Sequence, residues 1–272
     1  MKVQPAGPQE ICLGAWRNRS LIGAFVRREI AERYRGSVMG LFWSFMHPLF
    51  ILTIYTFVFS VVFKLRWNRP NESELEFALV LFAGIMPYYL FAECIRKAPS
   101  LILANATYVK KVVFPLEILP WAMLGSALFH FLLSLMVWLV FHLAFFGLPP
   151  PTTFLLPVVM LPLLFLCMGL SWFLASLGVY FRDVPQNIEV PLLAIHFLSP
   201  VFYPLAAVPP QYRFLIQINP LTPVLEQVRS ILIEGSLQDP GGFALYTLSM
   251  ALVAWLGFAW FQYTRKGFAD VL

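Results

Sequence analysis

The 272 residues are 60% hydrophobic and 17% aromatic but only 12% charged, with a net charge of +5. An average soluble domain carries about a quarter charged residues, so a water-soluble core cannot absorb this much apolar surface. The chain reads as one all-helical integral membrane domain, with room for roughly six spans of about 20 apolar residues, and its positive charge is distributed in a way that does not point to nucleic acid.

Seven of the nineteen basic residues, Lys2, Arg17, Arg19, Arg27, Arg28, Arg33 and Arg35, precede Leu41, as on the cytoplasmic flank of a first span. No signal peptide is expected, because the first long apolar run begins near Leu41, behind arginines and without a small-residue cleavage site. Residues 20–35 predict an amphipathic helix lying in the membrane interface, the alternative being an ordinary solvated juxtamembrane helix: Ile22, Val26, Ile30 and Tyr34 recur every fourth position beside Phe25, with arginines elsewhere. Glu29 and Arg33 have the spacing of a favourable i,i+4 pair, and Gly36 suits the helix stop.

Six apolar stretches then predict spans at 41–63, 77–95, 117–146, 154–180, 188–204 and 243–264, the third long enough to tilt. With both termini cytoplasmic, fourteen of the nineteen basic residues fall inside, as the positive-inside rule requires. The first three and last three spans share no pattern of broken helices, which argues against the common inverted-repeat transporters. Residues 205–242 are cut by Pro209, Pro210, Pro220 and Pro223 and predict two short helices around an Asn219-Pro220 turn. Thr222 is the expected cap of the second, Pro223 suits its first turn and Gly235 its exit. Val224, Leu225, Val228, Ile231 and Leu232 give that helix an apolar face, so a re-entrant or interfacial hairpin on the outer side is expected.

Catalytic groups do not cluster. His47, His130, His142 and His196 are scattered without metal-ligand spacing, and H-E-x-x-H, G-x-S-x-G, C-x-x-C and the phosphate-binding G-x-x-x-x-G-K-[ST] are missing from the sequence. Cys12, Cys94 and Cys167 are odd in number and widely separated, and read as packing residues. Neither an enzyme site, a metal site nor a cofactor is expected in this chain. Glu93, Arg96, Glu117 and the Arg182-Asp183 pair fall near predicted inner ends of spans, where ionisable groups are either interfacial anchors or functional.

Several segments jointly resemble the permease subunits of bacterial ATP-binding-cassette exporters of polysaccharides, the group that moves lipid-linked O-antigen, capsule or teichoic acid chains. They are Arg28-Glu29-Ile30 through Tyr34-Arg35-Gly36-Ser37, Gly40-Leu41-Phe42-Trp43-Ser44 with His47-Pro48, and Asn105 with Val109 through Pro120. Tyr180-Phe181-Arg182-Asp183-Val184, Ser199 through Pro204, and Asn219 through Pro223 with Glu226 and Arg229 complete the set, spanning residues 20–265. The resemblance implies a homodimer of six-span subunits in the cytoplasmic membrane, paired with two separate ATPase subunits that bind ATP and magnesium, and enclosing a channel for a lipid-linked, O-antigen-like polysaccharide. It implies that residues 98–115 and the 181–187 loop couple to the ATPase; Asn105, Tyr108, Lys110 and Lys111, polar enough to dock, and Arg182 and Asp183 are the coupling candidates. It also makes 205–235 outer gate helices, with Tyr212, Arg213, Asn219, Glu226 and Arg229 as gate candidates.

A sugar chain needs hydroxyl partners and flat apolar faces, which tyrosine and tryptophan supply together. Tyr34, Trp43, Tyr55, Tyr88, Tyr89, Trp121, Trp172, Tyr180 and Tyr203 are therefore channel candidates, although interfacial Trp and Tyr are expected in any membrane protein. A small-molecule or lipid exporter of the same architecture is the alternative within transport. A membrane-embedded glycan-modifying enzyme is a further alternative, disfavoured because the acids and histidines are dispersed.

Overall fold

The computed structural model describes residues 7–35, 42–64, 66–67, 73–111 and 114–272; among them every regular element is helical. Gly36 and Leu41, expected to end the interface helix and open the first span, lie outside these residues, and the side chains of Ser44, Val109, Lys110 and Lys111 are likewise not described.

Two helices precede the spans. α1 (Pro8–Arg17) begins with a proline whose missing N–H costs nothing in a first turn. It exposes Leu13 and Trp16, and the Arg19 guanidinium lies over the Trp16 ring. Asn18 closes it, its side-chain amide donating to Gly14 O at 2.8 Å, and α2 (Arg19–Tyr34) follows. α2 buries none of its residues completely. It packs along the first turns of α7 (Leu119–Phe146).

α3 (Phe42–Tyr55) contains Pro48 and continues as a π-helical turn over Thr56–Val62. Within Phe45–Val62 only Leu52 and Ser60 are buried. α4 (Glu74–Lys97) is the opposite case, buried along nearly all of its length from Phe77 to Ile95. Its ends are chemically marked: Ser73 Oγ accepts from the Glu76 N–H at 3.1 Å, Glu74 and Glu76 occupy the first turn, and Arg96 and Lys97 the last, each complementing the helix dipole. α4 is the central post. α7, α8 (Leu156–Tyr180), α12 (Thr222–Arg229) and the π turn of α3 pack around it.

α8 and α13 (Pro240–Thr264) form the most intimate helix pair. A Cβ at Gly257 would overlap the backbone of Gly169, and one at Gly169 would press on Val253 and Ala254, so the two main chains touch. Apolar side chains gain little by leaving apolar lipid, so such close approach at small residues is how membrane helices associate.

Among the described residues, five helical stretches are long and apolar enough to cross a bilayer: Phe45–Val62, Glu74–Ala104, Leu116–Phe146, Pro151–Tyr180 and Pro240–Val271. The expected span at 188–204 takes another form. Its helix, α10 (Glu189–Phe197), has 9 residues, about 14 Å of rise against a hydrocarbon core of about 30 Å. Ser199 Oγ bonds back to Ile195 O at 2.6 Å and Pro200 disfavours helix at the residue before it, so the chain turns at 198–203.

The proline-cut segment forms two short helices, α11 (Arg213–Ile218) and α12, the latter extended by a π turn over Ser230–Glu234. Gly235 leaves it in the left-handed region at φ 71°, a conformation glycine adopts freely. The expected apolar face is buried throughout. Thr222 does not cap α12: it is already the first helical residue, and its hydroxyl donates to Ile216 O at 2.5 Å. The Asn219 side chain takes the Leu221 N–H instead, at 3.0 Å, as an Asx turn does.

Candidate functional site

Three groups of residues on different elements define the site. The first lies where α4 hands over to α5 (Leu101–Ala104) and α6 (Ala106–Lys111). Arg28 of α2 donates to Tyr108 Oη at 3.0 Å and to Asn105 Oδ1 at 3.4 Å. Phe25 stands edge-on to Tyr108 at 5.6 Å, Tyr108 stacks on Phe114 at 4.9 Å, and the Arg28 guanidinium covers Phe25 at 4.4 Å. Asn105 and Tyr108 are thereby fastened to α2. The turn Ala98–Ser100 packs on α8 and on α9 (Asp183–Asn187). The two segments expected to couple therefore meet at one end of the molecule, where Arg182 and Asp183 are exposed.

One turn further along α2 lies a charged cluster. Arg33 donates to Glu93 Oε1 at 2.8 Å, and Lys97 donates to both Glu29 at 2.7 Å and Glu93 at 2.9 Å. His130 Nδ1 of α7 sits 3.0 Å from Glu93 Oε2 and 3.0 Å from Arg33 Nη1. Glu29 and Arg33, expected to pair along α2, thus reach across to α4. The sequence marked Glu93 only as an ionisable group near a helix end, and nothing in it joined His130 to that glutamate. Beside this cluster Arg96 grips Glu189 of α10 through Nε at 2.6 Å and Nη2 at 3.3 Å. Glu117 accepts from Arg265 at 2.8 Å.

The second group is aromatic. Tyr55 and Phe59 of α3 and its π turn meet Phe202 at 5.1 and 4.6 Å, and His196 lies 4.7 Å from Phe202 and 4.0 Å from Tyr88. Tyr88 Oη donates to Leu192 O at 3.0 Å, Tyr203 Oη to Phe197 O at 2.8 Å, and Tyr89 adjoins Tyr88. Tyr55, Tyr88 and Tyr89 therefore gather between α3, α4 and α10, and Tyr203 is tied to the end of α10. The other channel candidates stand apart. Trp43 is half exposed, and Tyr34 lies edge-on to His130 at 6.3 Å. Trp121 and Trp172 pair at 6.1 Å, and Trp172 is fully buried with its indole N–H on Glu117 O at 3.2 Å. Tyr180 bonds to Thr264 O at 2.7 Å beside the α8–α13 crossing.

The third group is the hairpin. Tyr212 is exposed, and Arg213 closes its own loop through Val208 O at 2.9 Å and Ala206 O at 3.1 Å. Glu226 is partly buried. Asn219 and Arg229 are buried, with bonds to the 198–201 turn described below.

The chain is all-helical among the described residues, with five of its helices long and apolar enough to cross a bilayer. The comparisons agree: residues 20–233 match the ABC-2 type transporter family, and the chain belongs to it. It is 30% identical to the O-antigen export system permease protein RfbA of Myxococcus xanthus over 93% of this chain and 95% of that protein. A Klebsiella pneumoniae protein of the same name is 27% identical over the same shares. The polysialic acid transport protein KpsM of Escherichia coli is 25% identical over 84% of this chain and 86% of its own.

Proposed function

We propose that this chain is the channel-forming permease subunit of an ATP-driven exporter that moves a lipid-linked, O-antigen-like polysaccharide across the bacterial cytoplasmic membrane. The observation that carries this reading is near full-length similarity to permeases named for polysaccharide export. Two copies pair, and two separate ATPase subunits bind ATP with magnesium and dock on α6 and α9. Both termini face the cytoplasm, and the aromatic group of Tyr55, Tyr88, Tyr89 and Tyr203 faces the sugar chain. In this reading α10 with the 198–204 turn acts as a sixth, broken crossing, completed against a second copy. Support comes from α3, whose Phe50, Ile54, Phe57 and Val61 remain exposed as a continuous apolar ridge next to the aromatic group.

The test is reconstitution of the permease with its ATPase in sealed vesicles containing a defined lipid-linked polysaccharide. ATP-dependent appearance of the glycan on the far side, together with no ATP binding by the purified permease alone, is expected. Stoichiometric ATP binding to this chain, or coupled vesicles that move a small lipid but no polysaccharide, overturns the reading.

A further inference from the structure

Four consecutive residues of the turn after α10 are held by two side chains of the hairpin. Asn219 Nδ2 donates to Leu198 O at 3.2 Å and to Ser199 Oγ at 2.8 Å. Arg229 donates through Nη1 to Pro200 O and through Nη2 to Val201 O at 2.6 Å. Its Nε reaches Val80 O of α4 at 3.3 Å, and its guanidinium lies 4.2 Å over the Trp67 ring. Arg229 is 6% exposed. A charge buried that deeply is tolerated only when its donors are satisfied, and here carbonyl dipoles and an aromatic face surround it. The space is specific: a Cβ at Gly84 of α4 would overlap the guanidinium.

The next residue along the turn is Phe202, which packs on Tyr55, Phe59 and His196, and Tyr203 follows. A turn bonded at each of four successive positions cannot shift without the hairpin that holds it. We infer that Asn219 and Arg229 are positioning residues that fix Phe202 and Tyr203 to the outer hairpin, making hairpin and aromatic wall one moving part, and that Gly84 is the seat that admits the arginine. This inference rests on the export reading above and adds to it how the outer hairpin governs the path.

The experiment uses the full permease–ATPase complex in vesicles. A spin label on a cysteine at Tyr203 is expected to be immobile in the otherwise native protein and mobile in Asn219→Ala and in Arg229→Gln. Glycan exported per ATP hydrolysed is expected to fall about tenfold in Arg229→Gln, the scale of losing a hydrogen bond to a charged group. Gly84→Ala is expected to show the same uncoupling alone but to add nothing in an Arg229→Ala background, since the clash has gone; such non-additivity marks residues acting through one contact. A label equally immobile in both hairpin variants overturns the inference, as does a Gly84→Ala penalty that persists without the arginine. The label readout requires no transport. Vesicles of the native complex that export no glycan therefore overturn the export reading, while label mobility still decides the clamp.

Discussion

Glu93 accepts from Arg33 and Lys97 and lies against His130, so one carboxylate ties three helices together. Glu93→Gln keeps the shape but removes the charge, leaving two cations facing a neutral amide. We predict a loss of about 1–2 kcal/mol, below the figure for a fully buried pair because Arg33 stays half exposed, with faster hydrogen exchange confined to α2. Unchanged exchange in α2 would show that its apolar contacts alone hold it. Tryptophans give a second contrast. Trp172→Ala empties a fully enclosed site and strands the Glu117 carbonyl, which should cost about 3–5 kcal/mol in thermal stability, whereas Trp43→Ala should stay within about 0.5 kcal/mol. The sequence identified both as aromatic but could not tell them apart, because membrane-facing and core tryptophans sit in equally apolar neighbourhoods. Arg229 was legible as a hairpin residue, yet its hydrogen-bond partners lie 28 to 149 positions away, and no local pattern encodes them.

The clearest elements in the sequence were those whose apolar run and chemical ends agree, as in α4 with its acidic first turn and basic last turn. α10 was less legible. Residues 188–204 are as hydrophobic as a span, and hydropathy does not register that Ser199-Pro200 breaks the helix after nine residues. The charged faces of α2 were equally opaque: periodicity located its apolar residues but not the helices its charges reach. For the proposed coupling segment we predict that reversing Lys110 and Lys111 to glutamate leaves insertion normal and reduces co-purification of the ATPase several-fold, as expected for charges that steer an interface. Disturbed insertion or topology would mean instead that the lysines serve only the positive-inside rule. Tyr108→Ala, which removes the ring between Phe25, Arg28 and Phe114, should loosen α6 from α2 and lower export more than it lowers ATP hydrolysis.

At the scale of the molecule, the proposed six-crossing topology puts fourteen basic residues on one side and five on the other, an orientation that impermeant thiol reagents can read. Cysteines at Thr107 should label only from the cytoplasm and those at Gln211 only from outside; the reverse pattern would overturn the proposed topology. A cysteine at Arg28 should stay unreactive from outside, since carrying arginines to the bilayer centre costs at least about 2.5 kcal/mol each. Pairing of two copies should appear as cross-links between cysteines at Phe50 or Ile54, with none from Leu245 or Leu248 on the exposed stripe of α13.

The backbone contact between Gly169 and Gly257 also bears on how the molecule comes apart. Two helices meeting main chain to main chain leave no side chain between them to repack, so that joint is either intact or lost. α3, with most of its surface uncovered, has many intermediate positions open to it. On warming, the protein should therefore fray from α3 inward and keep the α8–α13 joint to the end, and one added methyl group at either glycine should reverse that order.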